Sequence, residues 1–121
     1  MFIPKKLPLF LLIAALAACA SASPEDIKMS AALSAQGKAL LAAGRNEEAR
    51  DIYMSAIARN ENNARAWNGF GVANALLGKH SMARDAYMKA IDLAPKDATA
   101  ANNLALLYLL DNDPAAAVDL L

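Results

Sequence analysis

Residues of the same type return every thirty-four positions along this chain of 121 residues. The recurring residues are Ala49, Ala83 and Ala117, Gly37 and Gly71, Gly44 and Gly78, Tyr53 and Tyr87, and Ala56 and Ala90. A period of about 20–50 residues is typical of solenoids, in which copies of one unit stack and each contacts only its neighbours. Because solenoids present extended concave surfaces, this period favours a binding protein over an enzyme.

The segments between these recurring residues have the composition of helices. Ala, Leu, Met, Arg and Glu dominate them, and no stretch alternates strictly between polar and apolar residues, so we predict an all-α fold. The predicted helices cover residues 28–43, 47–59, 64–77, 81–93, 98–110 and 114–121. Together they form helix–turn–helix repeats over residues 30–63 and 64–97 and an incomplete repeat over residues 98–121, in one domain of residues 28–121.

The turns inside the repeats carry residues that suit a sharp change of chain direction. Gly44 and Gly78 follow the first helix of their repeats, where glycine adopts the left-handed backbone conformation without a steric penalty. Asn112 occupies the equivalent position in the third repeat and is the next most favourable residue there. Asn46 and Ser81 are predicted to cap the second helices of the first two repeats.

The second repeat resembles the tetratricopeptide (TPR) pattern most closely. Its matching residues are Trp67, Phe70, Gly71, Gly78, Ala83, Tyr87, Ala90 and Pro95. Further matches are Gly37, Gly44, Ala49 and Tyr53 in the first repeat and Ala117 in the third. The resemblance implies a right-handed superhelix of about two and a half helix–turn–helix units. Small residues such as Ala83 are required where paired helices pack about 8–10 Å apart.

Asn74 departs from this pattern, which has tyrosine at that position. A polar side chain at a packing position requires a hydrogen-bond partner or a water molecule. The alternative interpretation is that Asn74 makes a functional contact.

The repeat register predicts which residues of each first helix line the concave groove. The predicted groove residues are Ser34, Lys38 and Leu41 in the first repeat, Arg65, Asn68, Val72 and Ala75 in the second, and Thr99, Asn102, Leu106 and Leu109 in the third. Asn68 and Asn102 are expected to stack as two amides that can pair with the backbone of an extended peptide. Lys38 and Arg65 would add a preference for acidic groups. The alternative is that these residues are simply solvated.

The first residues of the chain have the pattern of a secretory leader. Two lysines precede an apolar run over residues 7–18, and small residues follow. The run has roughly 12 residues, whereas a transmembrane helix needs about 20, so a permanent span is disfavoured.

The sequence Leu16–Cys19 resembles a bacterial lipobox, which implies a signal peptide of residues 1–18 and lipid attachment at Cys19. Residues 19–27 would then form a flexible tether, and Ala20 after the cysteine implies sorting to the outer membrane. Several acyl chains would anchor the protein stably to that membrane. The protein would then lie on the periplasmic face of the outer membrane in a bacterial envelope. The alternative is an ordinary leader with cleavage nearby.

Other classes of function find little support in the composition. The formal net charge is zero, which argues against a nucleic-acid partner because phosphate binding requires a basic surface. The single histidine, His80, is predicted to be an exposed turn residue, and with one cysteine in the chain no metal or nucleophilic site can be assembled. We therefore expect no enzyme activity, no cofactor, no metal and no small-molecule substrate.

Three segments resemble the TPR lipoproteins of Tad/Flp pilus assembly (TadD-like proteins): Ala64–Val72, Leu77–His80 and Asn102–Leu106. That resemblance implies an outer-membrane lipoprotein that helps to assemble the secretion channel of an adhesive pilus. We expect a scaffold whose groove holds a peptide or helix from a pilus or secretion component.

Two other functions stay open. The chain could be an adaptor for outer-membrane protein assembly or cell-wall enzymes, or the first part of a longer enzyme. The third repeat stops within its second helix, so we expect either that the sequence is a fragment or that a partner covers this end.

Overall fold

The computed structural model describes residues 21–121, which form a stack of helical hairpins. The helices are α1 (Pro24–Ala42), α2 (Asn46–Arg59), α3 (Ala64–Leu76), α4 (His80–Leu93), α5 (Ala98–Leu110) and α6 (Pro114–Val118). None of the described residues belongs to a strand. Each helix packs against the next along the chain, and α3 also contacts the first helices of the hairpins on either side. The predicted all-α solenoid of helix–turn–helix units is confirmed.

The first helix begins earlier than the sequence pattern predicts. It starts at Pro24 instead of residue 28, because the Ser23 hydroxyl accepts a hydrogen bond from the Asp26 backbone N–H at 3.1 Å. Proline suits this first turn, since its missing N–H would have no partner there. Residues 24–27, predicted as tether, are therefore helical. The predicted leader and Cys19 lie outside the described residues.

The predicted caps of α2 and α4 are wrong. Asn46 and Ser81 lie inside these helices, and Arg45 and Lys79 occupy the cap positions without a side-chain cap bond. Side chains cap three other helices by accepting a bond from a backbone N–H: Asn63 from Ala66 at 3.1 Å, Asp97 from Thr99 at 3.0 Å and Asp113 from Ala116 at 3.1 Å. Short polar residues therefore cap the helices that begin between repeats and the short helix α6.

The turn inside each hairpin has the same backbone geometry in all three repeats. Gly44, Gly78 and Asn112 have positive φ angles of 73°, 75° and 63°, which confirms the predicted left-handed turns. The next residue donates its N–H across the turn to the carbonyl five positions earlier, for example from Arg45 to Leu40 at 2.9 Å. This double turn satisfies the last carbonyls of the first helix and returns the chain antiparallel to it.

Two tyrosine rings lie against glycines in the core. A Cβ atom added to Gly37 or Gly69 would lie 2.8 Å or 2.1 Å from the Tyr53 ring, and one added to Gly71 would lie 2.6 Å from the Tyr87 ring. Both tyrosines are at least 96% buried, with 4% and 3% of their surface exposed. Burial raises the pKa of Tyr87 to about 12. Only glycine allows the helix backbone to approach these rings so closely.

Most of the residues that match the TPR pattern lie in this core. The buried ones are Gly37, Ala49, Tyr53, Gly71, Ala83, Tyr87, Ala90 and Ala117. Trp67 is only partly buried; it packs edge-to-face on Phe70, and its ring N–H donates to the Glu61 carbonyl at 2.7 Å. Pro95, Gly44 and Gly78 are exposed because they act on the backbone at turns and helix ends.

Asn74 is fully buried, and its amide is only half satisfied. Its Nδ2 donates to the Phe70 carbonyl at 2.8 Å, whereas its Oδ1 has no hydrogen-bond partner among the described residues. A side chain with 0% exposure does not reach a ligand in the groove. Asn74 therefore costs stability without contacting a partner directly.

We expect Gly71→Ala to lower the free energy of unfolding by about 1–3 kcal/mol, because α3 and Tyr87 must separate to admit the new methyl group. Urea denaturation followed by far-UV circular dichroism measures this change. The reverse substitution Ala35→Gly, at an exposed site of α1, calibrates helix propensity alone, which is worth roughly 0.5–1 kcal/mol. A Gly71→Ala protein as stable as the wild type would show that the close contact is not needed.

We expect Asn74→Leu to raise the free energy of unfolding by about 1–2 kcal/mol, because it removes a buried acceptor without a partner. Leu40 already packs against the core at the equivalent position of the first repeat. Asn74→Asp, which keeps the shape but buries a charge, should destabilise the protein in the same urea titration. Equal destabilisation by both substitutions would contradict this account.

Candidate binding groove

A groove of about 460 Å³ crosses the concave side of the stack. The first helices of the three hairpins, α1, α3 and α5, supply most of its walls. Seven of the residues predicted from the repeat register line it: Ser34, Lys38, Leu41, Arg65, Asn68, Val72 and Thr99. Asn102 and Leu106 do not belong to this lining and are exposed beside it. The predicted residues Ala75 and Leu109 are also outside the lining, so the structure brings together all three predicted residues of the first repeat, three of the four of the second and only Thr99 of the third.

The floor of the groove includes Tyr53, which the sequence pattern assigns only to packing. Gly69 also lines the groove, and a Cβ there would lie closest to the Tyr53 Cζ atom, which carries the hydroxyl. The phenol end therefore reaches the groove at the point where α3 has no side chain to cover it. Burial raises the pKa of Tyr53, so the hydroxyl is a neutral hydrogen-bonding group. In the sequence, the glycine sixteen residues after this tyrosine is the signal that could have indicated its place in the groove.

One wall of the groove contains an amide pair that differs from the predicted one. The Asn103 Nδ2 donates to the Asn68 Oδ1 at 3.0 Å, whereas Asn102 is exposed. Helices whose axes are about 8–10 Å apart bring facing side chains into contact, so the rotation around α5 decides which asparagine can pair with Asn68. Asn103 is one residue further around α5 and faces α3. The Asn68 Nδ2 forms no hydrogen bond within residues 21–121, so its donors remain available.

The charged residues of the groove are Lys38, Arg65 and Asp97. The Asp97 carboxylate accepts hydrogen bonds from the Thr99 hydroxyl at 2.6 Å and the Thr99 backbone N–H at 3.0 Å. These bonds, together with the positive charge of Arg65, lower the pKa of Asp97. Within the described part of the chain, neither Lys38 nor Arg65 has a carboxylate within 4.0 Å. The groove therefore presents positive charge that is open to an acidic ligand.

His80 lies outside the groove and is more constrained than predicted. It is the first residue of α4, and its Nδ1 contacts the Asp111 carboxylate. This contact joins the turns of the second and third hairpins. Between residues 21 and 121, no group of three or more metal-ligating side chains lies close together. None of the helices described here has the length and apolarity needed to cross a bilayer.

Solved TPR structures share this arrangement of hairpins. The second TPR domain of Spaghetti (RPAP3), bound to the HSP90 peptide SRMEEVD, is 18% identical with a TM-score of 0.74 over 79% of this chain and 89% of that one. The Yersinia enterocolitica chaperone SycD, in complex with a peptide of the translocator YopD, is 17% identical with a TM-score of 0.69 over 73% and 67%. The Sgt2 TPR domain from Aspergillus fumigatus is 24% identical with a TM-score of 0.72 over 83% and 64%. These likenesses show the fold.

Two sequence-family models match successive, partly overlapping regions of the chain. A model described as tetratricopeptide repeat matches residues 34–98, and a second model of the same description matches residues 86–119. No curated protein sequence matches the chain. The first match covers more than half of the chain and agrees with the hairpins, the left-handed turns and the tyrosine–glycine contacts. The chain therefore belongs to the tetratricopeptide repeat family.

Proposed function

We propose that this protein is a non-enzymatic scaffold whose groove holds a peptide or helix of a partner protein. The observation that carries the proposal is the groove itself, in which Lys38, Arg65 and Asn68 present hydrogen-bond donors beside the apolar Val72. Its volume of about 460 Å³ lies within the range of about 300–1,000 Å³ that is usual for ligand pockets. The Spaghetti and SycD domains, which have the same fold, are bound to peptides.

We further propose that the protein is held by lipid at Cys19 on the periplasmic face of the outer membrane. The lipobox-like sequence Leu16–Cys19 supports this proposal, and so does Ala20. Since α1 begins at Pro24, four residues lie between Cys19 and the first helix, a span of five residue steps. At about 3.3–3.6 Å per residue, the domain would lie within about 18 Å of the lipid.

The proposed partner is a component of a Tad/Flp pilus or its secretion channel. This part of the proposal rests on the resemblance of Ala64–Val72, Leu77–His80 and Asn102–Leu106 to pilus-assembly lipoproteins. The first two segments lie in the second hairpin, which supplies Arg65, Asn68 and Val72 to the groove.

We expect the double substitution Arg65→Ala and Asn68→Ala to reduce partner recovery about tenfold, because it removes two groups at the centre of the groove. Affinity capture from solubilised membranes, quantified by mass spectrometry, measures recovery and identifies the partner. Arg84→Ala with Lys89→Ala, at exposed sites of α4 outside the groove, is the matched control. Unchanged recovery by a folded double variant would refute groove binding. Capture of cell-wall or outer-membrane assembly factors instead would favour the adaptor function.

We expect Cys19→Ala to abolish metabolic labelling of the protein with palmitate, since the thiol is the proposed site of acylation. Ser21→Ala, two residues away, is the control and should label normally. Continued labelling of the Cys19→Ala protein would exclude the anchor at this position.

A further inference from the structure

Four exposed leucines form a patch next to the groove. Leu76 on α3 and Leu106, Leu109 and Leu110 on α5 are 58%, 55%, 53% and 68% exposed. Residues three and four apart share one face of a helix, so Leu76 lies beside Val72, and the three leucines of α5 lie together. Leu106 is also the register equivalent of Val72, thirty-four residues on. The leucine patch therefore continues the groove toward the third hairpin.

The equivalent register position at the other end of the stack carries a charge. The register position that holds Val72 in the second repeat and Leu106 in the third holds Lys38 in the first. Lys38 is exposed, and no carboxylate among residues 21–121 pairs with it. This one register position thus changes from cationic to apolar across the three hairpins.

This clustering differs from ordinary surface exposure of apolar residues. Single exposed apolar side chains are common on protein surfaces and do not by themselves indicate a binding site, as at Ile27 on α1. Contiguous apolar patches on a concave surface are characteristic of binding sites. A free cation at one end and a leucine patch at the other are complementary to a ligand that is acidic at one end and apolar at the other.

The width of the stack sets the spacing of these two features. Neighbouring helices pack about 8–10 Å apart, so Lys38 on α1 and the leucine patch on α5 are about 16–20 Å apart. An extended chain covers about 3.3 Å per residue, so roughly six residues connect them. Side chains at alternate positions of an extended chain face the same side, so two such side chains can enter the leucine patch together.

We propose that the groove selects an extended segment of a partner protein with an acidic residue placed against Lys38 and, about six residues away, two large apolar side chains at alternate positions. The proposal rests on the proposed function, because it assumes that a peptide occupies the groove. It adds the chemistry and the spacing that the peptide must have.

The test is a selection of random twelve-residue peptides displayed on phage against the purified full-length protein. Peptides that lose binding to the Arg65→Ala, Asn68→Ala variant are scored as groove ligands. Groove ligands enriched in an acidic residue about six positions from two alternate apolar residues would support the proposal. Groove ligands without this pattern would overturn it while leaving the proposed function intact, and a selection without groove ligands would overturn both.

A selected peptide labelled with fluorescein then tests each end by fluorescence anisotropy. Leu109→Asn should weaken binding about tenfold, because a buried leucine contact is lost, and Lys38→Gln should weaken it about threefold. Met88→Asn and Lys89→Gln, at exposed positions of α4, are the matched controls and should bind normally. If Leu109→Asn instead separates a dimer in sedimentation velocity and leaves peptide affinity unchanged, the patch binds a second copy and the proposal is wrong.

Discussion

The contact between a tyrosine ring and the bare backbone of a glycine determines how closely the helices of this protein can pack. Tyr53 lies between Gly37 on α1 and Gly69 on α3, and Tyr87 lies against Gly71. Any larger residue at these glycines would place a side-chain atom inside van der Waals contact with a ring. The buried alanines of the second helices serve the same purpose on a smaller scale.

The groove follows from this close packing. Because the second helices are held tightly against the first, the three first helices stand side by side and present one continuous concave surface. The turns are equally important for the shape of the groove. The chain reverses direction in the same way at Gly44, Gly78 and Asn112, which keeps successive hairpins in the same orientation. Hydrogen-bonding and charged side chains gather on the first two hairpins, and exposed leucines gather toward the third.

The sequence period was sufficient to predict the hairpins, their turns and seven groove residues, because a repeat places equivalent residues on equivalent faces. What the period could not predict are the contacts between repeats. Asn103 pairs with Asn68 and His80 contacts Asp111, at separations of 35 and 31 residues, so neither pair follows the period of thirty-four. Ser23 extends α1 through a local cap that lies outside the repeats.

Tyr53 has two roles that the fold cannot separate. Its ring is the spacer between the first and second hairpins, and its phenol end forms part of the floor on which a ligand would rest. Any change in the angle between these hairpins must move the ring relative to Gly69, and with it the floor. The curvature of the solenoid and the depth of its binding surface therefore cannot change independently of each other.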